Sequence, residues 1–534
     1  MRTLQSLITA GLLLALAACA NLEPTGPVKD KTYAITILHT NDHHGRFWQN
    51  SDGEYGMAAR KTVVDGIRAE VAAAGGYSLL LDGGDVNTGV PESDLQDAVP
   101  DFKGMNLLGY DAMAVGNHEF DKSPAVLAMQ RKLAAFPMLS ANIYRKGERL
   151  FAPYHLFNLG GVRVAVMGLT TDDTQKLGNP AHMQDMEFRS PIQEAAKLVP
   201  VLRAQADVVI ATTHMGHYAN GQHGIQAPGD VEMARAVTGL DLVVGGHTQN
   251  PACMKAENVL DTAYVPGTPC QPDRQNGTWI VQAHEWGKYV GRADFQYRNG
   301  VFTLVKYALI PINLKRTVPI AENPQMLALL QPYQAFGQSK LLITVGSSDA
   351  RLNGDRNSGV RLAPTNLGML IGQAMMDKTG SDFAVVNAGG IRDSLPAGPI
   401  TYKDILKVQP FGNTLATLRL SGREVLDYLQ IAARMSPGAG GFPHFSGVEV
   451  TTVAGAMAQV RVQGVALDPS KTYQMVINNF VAVGGDGYPV MTAHATYVDT
   501  GFVDADVLRG FIAAHSPLQA SRFAPGLPAA AHTH

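Results

Sequence analysis

Short apolar runs, each closed by a polar cluster, recur along the N-terminal half of the chain. Ala34-Ile35-Thr36-Ile37-Leu38, Ser78-Leu79-Leu80-Leu81 and Val208-Val209-Ile210-Ala211 read as strands, interleaved with helical stretches at 58–74 and 191–205. That alternation predicts layered α/β structure over 31–320. From 321 to 340, Met326, Leu327, Leu329, Leu330 and Phe336 recur at roughly helical spacing, with no glycine before Gly337, which predicts one connecting helix. New strands and glycine loops follow, with helices expected at 365–378 and 422–434. The expected organisation is therefore an α/β domain, a linker helix at 321–340, a smaller α/β domain at 341–525 and a frayed tail at 526–534.

The polar clusters read Asp42-His43-His44-Gly45, Gly83-Gly84-Asp85, Gly116-Asn117-His118-Glu119, Thr213-His214-Met215-Gly216-His217 and Gly245-Gly246-His247-Thr248-Gln249. They fall where strands hand over to loops, the place where parallel α/β sheets carry their sites. Carboxylate, imidazole and amide donors together suit divalent metals of intermediate hardness, and phosphoryl-transfer sites hold two such ions bridged by a shared carboxylate. Asp42 and His44, two apart at a strand end, are expected to point the same way. The glycines before Asp85 remove steric bulk around it. A lone Asp-x-His pair or a lone His more often has no metal; five clusters in order, each after an apolar run, carry the reading.

Bulk properties narrow the partner. The chain has 534 residues, 46% hydrophobic and 17% charged, which is too long for one typical domain. A net charge of -3 offers no basic excess for extended nucleic-acid binding, so a small substrate is expected and no nucleic acid. At the N-terminus, Arg2 and the apolar stretch Leu7 to Ala18 read as an export signal over 1–18, too short to remain as a spanning helix. Leu16-Ala17-Ala18-Cys19 resembles the lipobox of bacterial lipoproteins. It implies a lipid anchor at Cys19 on the periplasmic face of the envelope, and Ala20-Asn21 favour the outer membrane over the inner. An ordinary secretory signal is the alternative. Of three cysteines, Cys253 and Cys270 then remain as a pair in a Pro/Gly-rich segment, expected to close a loop in an oxidising compartment; unpaired thiols or stray metal ligands are the alternatives.

His39-Thr40-Asn41-Asp42-His43-His44-Gly45 and Gly116-Asn117-His118-Glu119-Phe120-Asp121 resemble the metallophosphatase domain of the 5′-nucleotidase family, especially its bacterial periplasmic members acting on UDP-sugars. Asn87 to Asp94 and Ala283 to Tyr289 extend the likeness over nearly the whole mature chain. The resemblance implies a four-layered αββα domain joined by a helix to a smaller α/β substrate-binding domain. It implies two divalent ions (zinc, manganese or cobalt), one on Asp42, His44, Asp85 and Gln249, the other on Asp85, Asn117, His214 and His247. The neutral amide of Gln249 is the weaker donor, and His43, His217, His223 and His284 fall off the ligand pattern. Hydroxide held by the metals would attack phosphorus, with His118 and Asp121 as a dyad at the transition state. Arg356, Arg361 and Arg392 would bind substrate oxygens, Phe411 and Phe480 would hold the base, and Asn413 and Asp486 would bond base or ribose edges. Without the resemblance, the two rings read as core and the arginines as solvated surface. The implied activity is hydrolysis of 5′-nucleotides and UDP-sugars by a monomer whose two domains close on substrate. A 2′,3′-cyclic phosphodiesterase/3′-nucleotidase or NAD pyrophosphatase on the same scaffold, or a non-enzymatic nucleotide-binding lipoprotein, are the other readings.

Overall fold

A computed structural model describes residues 26–177, 182–221, 227–453 and 456–526. Cys19, His223 and the tail beyond Gly526 lie outside the described residues. Among the described residues no helix is long and apolar enough to cross a membrane.

Two six-stranded sheets form the centre of the N-terminal domain. In the first, Tyr33–Thr40, Tyr77–Asp82, Ala112–Ala114 and Met138–Leu139 run parallel, and the antiparallel pair Tyr289–Arg298 and Val301–Pro311 extends the edge beside Tyr33–Thr40. In the second, Val162–Thr170, Val208–His214, Leu242–Val244 and Thr278–Val281 are parallel, flanked by antiparallel Tyr154–Leu159 and Asp273–Gln275. Side chains alternate between the faces of a strand. Ile35, Ile37, Val208 and Ile210 therefore meet between the sheets. Leu38 faces the helices outside the first sheet, Val209 and Ala211 those outside the second. Helices Met57–Ala73 and Val99–Leu108 cover one outer face, Pro191–Arg203 and Asp230–Ala236 the other. The result is the four-layered αββα arrangement. Near-continuous apolar strands follow from it, since each strand is covered on both faces.

Pro324–Leu341 forms the connecting helix, started by Asn323, whose side chain accepts from the amides of Gln325 and Met326. Its buried positions are Met326, Leu330, Gly337 and Leu341, and Met326 and Leu330 enter the N-terminal core. Phe336, one of the apolar residues whose spacing marks the helix, is 49% exposed because it projects beside that stripe. The helix is thus docked on the N-terminal domain along its length rather than bridging open space.

The C-terminal domain is built on a five-stranded sheet in the order Pro443–Ser446, Phe383–Asn387, Thr472–Asn478, Thr414–Ser421 and Val498–Val503. Asn366–Thr379 and Asp504–His515 pack into one core, and Gly422–Ala432 into another. Both Asn366–Thr379 and Gly422–Ala432 begin on hydroxyl caps, Thr365 and Ser421.

Cys253 and Cys270 form a disulfide, buried with Ala283, Tyr289 and Leu309. They are 17 residues apart, so opening the bond by paired serine substitutions should cost about 3 kcal/mol of N-terminal domain stability. Denaturant unfolding of the double variant measures this; an unchanged midpoint would show that the buried packing alone holds the loop.

Candidate active site

The expectation that strand alternation aims Asp42 and His44 together is corrected by the structure. The strand ends at Thr40, and Asp42 and His44 lie beyond it with φ of 52° and 50°. Left-handed backbone is costly for residues with a β-carbon. Here three ladder bonds hold it: the amides of Asp42, His44 and Gly45 donate to the carbonyls of Gly84, Asp85 and Val86. The two loops clasp one another, and the side chains converge for that reason, with His44 Nε2 3.8 Å from both Asp42 Oδ1 and Asp85 Oδ2.

Asp85 stands at the centre. Its Oδ2 is 2.9 Å from His214 Nε2, and its Oδ1 accepts from the His118 amide at 2.9 Å. A β-carbon on Gly116 would fall 2.1 Å from Asp85 Oδ1, so only glycine lets these loops approach so closely. Glu119, quoted in the motif without a role, organises the same loop. Fully buried, it accepts from the amides of Asp85, Val86, Asn87 and Gly116 at 2.7–3.2 Å. Asn41 does similar work from the other side: its amide group donates to Asp42 Oδ2 at 2.6 Å and its oxygen accepts from Ala283 N at 2.7 Å.

The remaining donors complete two overlapping groups, His44 with Asp85 and His118, and Asp85 with His214 and His247. Asn117 Oδ1 lies 3.1 Å from His214 Nε2 and 3.0 Å from His247 Nδ1. His214 Nδ1 donates to the Gly83 carbonyl at 2.7 Å and His44 Nδ1 to that of Thr88 at 2.8 Å, so both rings turn their Nε2 lone pairs into the cluster. Asp42 Oδ1 is buried there without a hydrogen-bond partner. Burial raises the Asp42 carboxyl to about 7 against the pull of His214. An orphaned carboxylate oxygen, inward lone pairs and mixed N/O donors all fit divalent cations. Gln249 is placed otherwise: its oxygen accepts from Arg356 Nη1 at 2.7 Å and its nitrogen faces His44 Nε2 at 2.7 Å. To offer oxygen beside His44, this amide would turn over.

The dyad forms. His118 Nδ1 donates to Asp121 Oδ2 at 2.6 Å, and Thr88 Oγ1 donates to the same oxygen at 2.7 Å. Burial disfavours a charged His118, but the carboxylates of Asp121 and Asp85 outweigh it and raise its pKa above the usual value. His43 and His217 instead pair with Asp101 at 2.8 Å and Asp273 at 2.9 Å, and His284 stacks on Tyr289, all supporting positions.

A cavity of about 310 Å³ joins this cluster to the C-terminal domain. Asp85, Asn117, His118 and His247 line one end, Phe411, Asn413, Phe480 and Asp486 the other. Phe411 stacks on His118 with ring centres 5.8 Å apart and forms cavity wall, whereas Phe480 lines the cavity while also packing against the core beside Gly422–Ala432. Arg356, Arg361 and Arg392 line the same space, and none is solvated surface. Burial and the neighbouring Arg356 pull Arg361 down to about 10; burial with Arg356 and Arg361 pulls Arg392 down to about 9. Three crowded guanidinium groups of this kind call for an anion. Asp486 accepts from Asn387 Nδ2 at 2.7 Å, with Gly389 and Gly440 packed against its carboxylate. Tyr218, Asn387 and the run Gly438 to Gly441 also line the cavity and are not singled out by the motifs; the glycine run is the one signal the sequence offers for them.

The αββα layers and the donor cluster at their strand ends define a metal-dependent phosphoesterase. Residues 35–251 match the calcineurin-like phosphoesterase family and 344–493 the 5′-nucleotidase C-terminal domain. The chain is 55% identical to the protein UshA of Escherichia coli (strain K12), covering 97% of this chain and 98% of that one. It is 52% identical to a 5′-nucleotidase of Vibrio cholerae serotype O1 over 98% of both. The crystal structure of a 5′-nucleotidase precursor from Thermus thermophilus superposes with a TM-score of 0.72 at 32% identity, covering 91% of this chain and 98% of that one. This chain belongs to the 5′-nucleotidase family, and it is a hydrolase acting on nucleotides with divalent metal ions.

Proposed function

We propose that this protein removes the 5′-phosphate from mononucleotides and splits UDP-sugars to UMP and sugar 1-phosphate. The observation that carries the reading is the single cavity running from the donor cluster and His118 to the arginines and rings of the second domain. Asp42, His44, Asp85 and Gln249 would hold one ion and Asp85, Asn117, His214 and His247 the other, zinc, manganese or cobalt by donor chemistry. When bound, the ions supply Lewis-acid charge and an activated water for in-line attack.

The chain's own residues do the rest. Arg356, Arg361 and Arg392 neutralise and orient phosphoryl oxygens, and Phe411 and Phe480 hold the base by their faces, with little selectivity among bases. Asn413 and Asp486 bond its edges or the ribose. As the bond from phosphorus to the leaving oxygen breaks, protonated His118, oriented by Asp121, stabilises the charge and can deliver the proton that oxygen needs. The chain would act as a monomer, anchored by lipid at Cys19 to the periplasmic face of the outer membrane.

The raised His118 pKa carries a sign. The imidazolium persists above the ordinary histidine range, so activity should fall on the alkaline side as His118 deprotonates. Asp121→Asn removes one of the charges that favour the proton, so the alkaline limb of kcat/KM should move to lower pH by on the order of one unit. A limb that stays in place would assign it to another group.

Products from AMP, UDP-glucose, 2′,3′-cyclic AMP and NAD with metal-reconstituted protein test the proposal. Phosphate from AMP and UMP from UDP-glucose support it. Turnover of the cyclic nucleotide or NAD alone would replace it, and no turnover with metals bound would leave a binding protein.

A further inference from the structure

A second cavity, of about 1070 Å³, meets the donor cluster from its other flank. It shares Gln249, Arg356, Arg361 and Arg392 with the nucleoside cavity. The nucleoside cavity reaches the cluster past Asn117 and His247, whereas this one reaches it past His44 and Thr88. The cluster therefore sits at the junction of two spaces. A mononucleotide ends at its phosphate and uses only the first.

The second space is built for an anion. Seven lysine and arginine side chains line it against three carboxylates. The lysines are already engaged: Lys288 lies 2.7 Å from Glu285, Lys407 4.0 Å from Asp393, and Lys403 bonds Glu92. The four arginines have no carboxylate within ion-pair distance among the described residues. Three are those of the C-terminal domain already assigned to the phosphate. The fourth, Arg46, comes from the N-terminal domain and lines this cavity but not the nucleoside cavity.

Arg46 is held in place by its surroundings. Its guanidinium carbon lies 4.0 Å from the centre of the Trp286 ring, and Nη1 donates to the His44 carbonyl at 2.6 Å. Gly89, at φ 142°, makes room for it, since a β-carbon there would stand 2.7 Å from Nη1. Beyond Arg46, Trp48, Asn50 and Tyr55 line the cavity with the mixed aromatic and amide character that suits a sugar hydroxyl face.

We infer that this cavity is the subsite for the glycosyl-phosphate half of a nucleotide-sugar, with Arg46 gripping the phosphoryl group remote from the nucleoside; the inference rests on the UDP-sugar activity proposed above. With the nucleoside between the C-terminal rings and the diphosphate across the cluster, the sugar has this space to enter. Hydrolysis adds water oxygen to phosphorus, breaks the bridging P–O bond and releases sugar 1-phosphate on this side and UMP on the other.

The test compares kcat/KM for UDP-glucose and AMP in the wild type, Arg46→Met and Arg46→Lys. Loss of a charge-assisted contact to phosphate should lower UDP-glucose turnover about tenfold more than AMP turnover in Arg46→Met, with Arg46→Lys between. Parallel losses on both substrates, or no loss, would overturn the subsite. A wild type that hydrolyses AMP but not UDP-glucose would instead remove the UDP-sugar reading on which it rests. If Arg46→Met fails to fold, inhibition of wild-type AMP hydrolysis decides: glucose 1-phosphate should inhibit more tightly than inorganic phosphate, and equal inhibition overturns the subsite.

Discussion

Replacing His118 by alanine should lower kcat by about 10²- to 10⁴-fold, the usual worth of a positioned acid or base. Metal content should stay at the wild-type level. His118 sits within reach of His44 and Asp85, yet its Nδ1 is committed to Asp121 and its backbone amide to Asp85 Oδ1. The alanine keeps that backbone amide, so the central carboxylate retains its support. It removes only the imidazole, the group proposed to face the leaving oxygen. KM for AMP should change little if, as proposed, the arginines and rings that line the cavity hold the ground state. Steady-state kinetics with metal analysis on the same sample checks this. Loss of metal together with activity would make His118 a ligand and not an acid.

Asp85→Asn should have the larger effect. Asp85 is the one carboxylate common to both donor groups, with His214 at 2.9 Å and His44 at 3.8 Å. An amide offers one neutral oxygen where two anionic oxygens stood, and its NH₂ would face the His214 Nε2 lone pair. Bound metal should fall below two equivalents and activity by about a thousandfold or more, in line with the several kcal/mol that a Lewis acid contributes at a phosphoryl group. The metal-dependent part of thermal stability should fall with it, since ions that bind only the folded state stabilise it. Metal titration by calorimetry and melting curves with and without added manganese measure both. Full occupancy with normal kinetics would contradict the central place of Asp85.

The regular elements were legible because both faces of the strands and one stripe of most helices are apolar. Val208–His214 and Met57–Ala73 lie where their patterns put them. The linker helix was legible in extent but not in facing. Its apolar residues are too many for one stripe, and docking selected Met326, Leu330, Gly337 and Leu341 while leaving Phe336 outside. At the site, Asp42, His44, Asp85, His214 and His247 were legible as clusters at strand ends, but the backbone that converges them was not. Left-handed turns at Asp42, His44 and Asp85 depend on ladders between loops far apart in sequence, and that at His247 on its amide donating to the Asp42 carboxylate. Glu119 was hidden for a related reason: a carboxylate that accepts backbone amides from two loops leaves no side-chain pattern to read. Phe411 and Phe480 were invisible to composition, since a ring lining a cavity and a ring in a core obey the same burial preference. Arg46 escaped notice because its partners, a backbone carbonyl and an indole face, come from 44 and 286.

The central claim is that two ions share Asp85 between the sheets' strand ends while the nucleoside sits on the other domain. Anomalous diffraction from crystals grown with manganese and a non-hydrolysable nucleotide tests it most directly. The account expects two manganese peaks, both against Asp85, one beside Asp42 and His44 and the other beside Asn117, His214 and His247, with the base between Phe411 and Phe480. A single peak, or two peaks that do not share Asp85, would contradict it.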